Sequence, residues 1–166
     1  MARTFSKFAL LALPCSALIG GTQASAATAT GTFSVSMTIQ ASCLLNSSSG
    51  IAFGTTGVLS TNTDATGTLG IQCTTSTPYT VALDAGAGAA ATTTTRKLTG
   101  SGSTINYALY RDSARTLTWG NTTGTDTVAG TGNGSTQTLT VYGRVPSQST
   151  PAAGAYADTV NVTITY

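Results

Sequence analysis

Strict two-residue alternation near both ends of the chain leaves little freedom in secondary structure. In Gly31–Gln40 (GTFSVSMTIQ), Phe33, Val35, Met37 and Ile39 alternate with Thr32, Ser34, Ser36 and Thr38. In Thr159–Tyr166 (TVNVTITY), Val160, Val162, Ile164 and Tyr166 share one face. Successive side chains on a strand take opposite sides, so each segment predicts a ribbon with one apolar face. Such a face must be covered, either within its own sheet or by another molecule. That choice governs what the chain does.

The rest of the composition agrees with strands. The chain has no Glu and no His, and Thr is its commonest residue. Thr is β-branched and favours extended backbone, while Gly and Ser fill turns. No stretch keeps a 3.6-residue apolar period, so the expected class is all-β. Short strands are expected at Ile51–Phe53, Leu69–Cys73, Tyr79–Leu83, Ile105–Leu109 and Leu139–Val145. Polar or glycine-rich loops are expected at Asn46–Gly50 and Gly124–Ser135, and a hairpin loop of small residues at Ala85–Thr95. Strands of this length with regular turn signals predict an immunoglobulin-like sandwich or a barrel.

The first residues predict a secretory signal. Arg3 and Lys7 precede an apolar run from Phe8 to about Ile19, and Ala24-Ser-Ala26 is an A-x-A site, placing cleavage between Ala26 and Ala27. Residues 1–26 are therefore set aside from the fold. Without Arg3 and Lys7, the formal charge of +2 falls to near zero, which leaves no basic patch for nucleic acid. Cys43 and Cys73 remain, and an even count in an exported chain predicts a disulfide, the alternative being two buried thiols. Such a loop makes the bond worth roughly 3–4 kcal/mol in the chain-entropy picture.

Little chemistry is available. Without His, Ser-His-Asp and Cys-His arrangements and His-built zinc sites are excluded. The aspartates stand apart at 64, 84, 112, 126 and 158, where turn roles are expected. Asp112-Ser-Ala-Arg115 predicts a turn stabilised by its own ion pair. Gly130–Gly134 lacks the Lys-Ser/Thr of a phosphate loop. Trp119 reads as packing rather than as an exposed sugar platform. No catalytic residue, metal or cofactor is expected.

The runs Gly67-Thr-Leu-Gly-Ile-Gln-Cys73, Thr77-Pro-Tyr-Thr-Val-Ala-Leu-Asp84, Tyr107-Ala-Leu-Tyr-Arg-Asp112 with Trp119-Gly120, and Val141-Tyr-Gly-Arg-Val-Pro146 leading into Thr159–Tyr166 together resemble the spore coat protein U domain, the fold of Csu-type (archaic) chaperone–usher pilus subunits. The resemblance covers nearly all of 27–166. It implies an incomplete immunoglobulin-like β-sandwich, completed by a donor strand. It implies a signal peptide at 1–26, a donor segment at 27–40 carrying Phe33, Val35, Met37 and Ile39, and a pilin domain at 41–166. In that domain, Val160, Val162, Ile164 and Tyr166 belong to the strand bordering the acceptor groove. The implied partners are a periplasmic chaperone, an outer-membrane usher and further pilin subunits, with an extracellular pilus as the product. Two other roles stay open at this point: a self-contained secreted coat protein, and a carbohydrate-binding module using Trp119 and nearby tyrosines.

Overall fold

A computed structural model describes residues 24–166. The expected leader lies almost wholly outside them. Among the described residues the chain is all-β, with eight strands and no helix. They are β1 (Cys43–Ser49), β2 (Thr63–Cys73), β3 (Pro78–Leu83), β4 (Arg96–Gly100), β5 (Ser103–Tyr110), β6 (Val128–Thr131), β7 (Thr136–Val145) and β8 (Val162–Thr165). One sheet has the order β1-β2-β7-β5-β4 and the other β6-β3-β8, and every pairing is antiparallel.

The two sheets make a sandwich because alternate residues of their central strands are apolar and face one another. Leu69, Ile71 and Cys73 of β2 and Val141 and Val145 of β7 are buried, as are Tyr79, Val81 and Leu83 of β3. Trp119 locks the layers together. It is 1% exposed, its backbone N–H bonds to the Leu109 carbonyl of one sheet at 2.8 Å, and its indole N–H donates to Val81 O of the other at 2.9 Å. A buried indole with its one donor satisfied is a packing residue, and it offers no sugar platform.

Several local expectations change. Asn46–Ser49 belongs to β1 rather than to a loop, because β1 is an edge strand whose outer residues meet water. Its ladder slips between Leu45 and Ser47, where Asn46 Nδ2 reaches Gln72 Oε1 at 2.6 Å and Thr136 Oγ1 at 3.0 Å. Ile51–Phe53 is not a strand; it is a coil whose side chains fill the core above glycines. A Cβ on Gly143 would sit 3.0 Å from Phe53 Cζ and 3.1 Å from Ile51 Cδ1, so glycine makes room for the plug. β6 lies within the expected glycine-rich loop. Ala85–Thr95 is no hairpin, since it carries the chain from β3 in one sheet to β4 in the other. Arg115 pairs with Asp64 at 3.3 Å rather than with Asp112, and Asp112 instead accepts backbone N–H groups of Thr116 and Leu117.

Candidate groove and strand

Val160, Val162 and Ile164 turn inward and pack against the core, yet remain only half-buried. Among the described residues β8 pairs with β3 alone, with Ile164 opposite Val81 and Val162 opposite Leu83. Those ladder partners are 0% and 2% exposed. A residue beside a fully buried neighbour on the same face is itself covered unless the sheet stops there. The outer edge of β8 is where it stops, and among the described residues its backbone groups have no ladder partner on that side.

β1, the matching edge of the other sheet, shows the same asymmetry. Leu45 stands opposite Ile71, but Leu45 is 43% exposed and Ile71 is 0%. β1 and β8 approach each other with Cα atoms within 8 Å. The sandwich therefore has an open seam, with Leu45 on one rim and Val160, Val162 and Ile164 on the other. Tyr166, expected on this strand, lies just past its end and is 59% exposed.

A polar knot fixes the approach to β8. Asp84, just after β3, accepts hydrogen bonds from Asn161 N at 2.9 Å and Asn161 Nδ2 at 2.6 Å, and from Gly86 N at 2.9 Å. Partial burial works against its charge, but these donors outweigh it and the Asp84 carboxyl titrates below the usual range. Asp158 accepts the Tyr107 hydroxyl at 2.7 Å and the Ala87 and Thr159 N–H groups. Burial, reinforced by that carboxylate, holds the Tyr107 phenol far above its ordinary value, so it stays a donor. Beneath them lies Arg96, 0% exposed. Its guanidinium donates to the carbonyls of Asp84 and Thr93 at 2.7 Å, Trp119 at 2.8 Å and Leu83 at 3.0 Å. Nothing in the local sequence points to this role.

The knot makes the β8 root acid-sensitive. A carboxyl whose folded pKa lies below its unfolded value of about 3.9 stabilises the fold above that pH, and the contribution is lost as pH falls through the folded pKa. The Tm is expected to hold above pH 4 and fall below it. Asp84→Asn lowers the Tm at neutral pH and flattens the acid limb, which a calorimetric series from pH 2 to 7 checks. Asp64, held low chiefly by its Arg144 hydrogen bond, contributes to the same limb, so Asp64→Asn is the control.

The N-terminal ribbon is present without a ladder. From Ala24 to Ser42 the chain has no strand assignment and every residue is exposed. Phe33, Val35, Met37 and Ile39 are 88%, 83%, 86% and 69% exposed. The alternation thus occurs on a segment that forms no ladder among the described residues. Ala26 and Ala27, the expected cleavage junction, are likewise exposed. Cys43 and Cys73 form a disulfide with Cα atoms 4.1 Å apart, which settles the choice left open between a bond and two thiols.

Comparison with known proteins follows the same lines. The profile of the Spore Coat Protein U domain matches residues 29–163. The chain is 34% identical over 164 residues to a protein called Protein U of Myxococcus xanthus, covering 90% of this chain and 91% of that one. Among solved structures it matches the CsuC–CsuE chaperone–tip adhesion subunit pre-assembly complex from archaic chaperone–usher Csu pili of Acinetobacter baumannii, with a TM-score of 0.57 and 21% identity. That match covers 78% of this chain but only 40% of the chain matched, and it speaks for the shared sandwich fold.

Proposed function

The chain belongs to the Spore Coat Protein U domain family, and from that premise we propose that it is a structural subunit of an archaic chaperone–usher pilus. Residues 1–26 direct export and are removed. Phe33, Val35, Met37 and Ile39 of one subunit enter the seam between β1 and β8 of the next, where Val160, Val162 and Ile164 receive them. Before assembly a periplasmic chaperone covers the seam, and at the outer membrane an usher exchanges that cover for the neighbour's segment. The product is an extracellular fibre serving surface adhesion and biofilm formation, and its role is structural rather than enzymatic.

The observation that carries this reading is a pair of unmet needs of one kind. Among the described residues, an apolar ribbon has no ladder and an apolar sheet edge has no neighbour. Strand addition satisfies both, with backbone hydrogen bonds along the edge and alternate side chains in the groove. Each subunit gives one strand and takes one, so contacts run head to tail and do not close.

Substituting Val35→Asp with Met37→Asp places two charges where apolar contact is required. Expected is a loss of at least about tenfold in SDS-resistant polymer on gels, with the subunit still bound by its chaperone. Unchanged polymer with both aspartates in place refutes the reading. A monomer whose melting is indifferent to loss of 27–40 belongs instead to a self-contained coat protein.

A further inference from the structure

The disulfide joins the first residue of β1 to the last residue of β2. Cys43 is also the first buried residue after the exposed stretch from Ala24 to Ser42. It stands four positions beyond Ile39, a span of at most about 14 Å of extended chain. Tension arriving through a donated ribbon therefore enters the domain at Ser42 and Cys43, where Ser42 is held to Thr74 by two hydrogen bonds of 3.0 and 3.1 Å and Cys43 to Cys73 by a covalent bond.

From that point two routes lead inward. One continues along β1, an edge strand held among the described residues only by β2, with its ladder interrupted at Asn46. Loaded at one end, such a strand opens pair by pair or slides as a whole. Either movement carries Leu45 away from the seam. The other route crosses the sulfur–sulfur bond into β2, which is paired on both sides and matches β7 from Thr63 to Gln72. A covalent bond is far stiffer than an end pair of hydrogen bonds, so it takes the load.

We infer that Cys43–Cys73 is a load clamp: it passes tension around β1 into the sheet interior, and so separates the pull on a subunit's donated strand from the groove in which that subunit holds its neighbour's. The inference rests on the donor-strand reading. Without the clamp, pulling on one junction would loosen the rim of the next, and a single failure would spread along the fibre.

The test holds single filaments of the unmodified protein at constant force in dithiothreitol. The reagent's thiolate attacks one sulfur, forming a mixed disulfide, and the other leaves as a thiolate. With the bond under load, the reduction rate rises several-fold with force, and each event lengthens the filament by up to about 20–25 Å as β1 extends. A rate that is the same at low and high force overturns the proposal. Filaments of the Cys43→Ala, Cys73→Ala double variant are expected to part at lower force than the parent, and equal rupture force also overturns it. Failure of the donor-strand reading shows differently, as filaments that persist after 27–40 is deleted.

Discussion

A second copy of residues 27–40, joined after Tyr166 through a flexible linker, converts the chain into a soluble monomer that no longer forms ladders. Burying four large apolar side chains at ~1.5–3 kcal/mol each yields roughly 6–12 kcal/mol. Ordering the segment returns about 2–5 kcal/mol of that. A net gain near ~5 kcal/mol, at roughly 3 °C per kcal/mol for a domain of this size, corresponds to a Tm higher by about 15 °C. The comparison partner is the same fusion carrying Asp at the copied positions of Val35 and Met37. Equal melting of the monomeric fractions of the two fusions would show that the seam between β1 and β8 does not accept this ribbon. Gel filtration supplies the independent reading, because the apolar fusion elutes as one species and the Asp version still polymerises through its own N-terminal ribbon, subject to the supply of chaperone.

Arg96→Met is expected to be the most damaging single substitution in the domain. Methionine fills a similar volume but donates nothing, so the carbonyls of Leu83, Asp84, Thr93 and Trp119 lose their shared partner. Each buried carbonyl left without a donor costs about 1–3 kcal/mol, so several together take a large share of the ~5–15 kcal/mol that holds a typical domain together. Arg96→Lys recovers little, since an ammonium cannot reproduce the planar fork that bonds four carbonyls at once. Urea unfolding of the self-complemented fusion measures the loss without interference from polymerisation. A midpoint within experimental error of the parent would remove Arg96 from its role as the support of the β8 root. If the variant fails to fold, its proteolytic sensitivity beside the parent reports the same outcome.

The parts of the fold legible in the sequence are those that obey a local rule. Alternation at Val160–Ile164 found the C-terminal edge strand, and alternation at Phe33–Ile39 found an apolar ribbon, because period-two patterning needs no knowledge of partners. The paired cysteines were legible from count and compartment. What local rules could not reveal was whether the first ribbon is covered. The structure leaves it bare while the edge near β8 stands open, and both facts depend on residues far apart in the chain. β1 was misjudged past Leu45 because an edge strand with a wetted outer face is as polar as a loop. Ile51 and Phe53 alternate like a strand, yet they leave the sheet to plug its end over Gly143. Arg96 stayed invisible for a related reason. Its four acceptors come from three separate stretches of chain, and nothing near residue 96 announces them.

The resemblance noted from the four sequence runs added what the residues alone could not, namely that an open seam is an expected state rather than a defect. It is consistent with the family membership, and with a shared sandwich in a pilus subunit only 21% identical. The resemblance did not supply the polar knot among Asp84, Asn161, Asp158, Tyr107 and Arg96, which came from geometry alone.

The far margin of the five-stranded sheet is treated differently from the seam. There Thr99 of β4 exchanges backbone hydrogen bonds with Ala157, at 2.8 and 3.1 Å, and Gly100 lies so close under the Ala155 carbonyl that no side chain would fit. The chain thus folds its own returning segment over that margin before running on to β8. In the fibre proposed above, subunits crowded side by side would find no template there for sideways accretion, which favours thin, separate threads over tangled sheets.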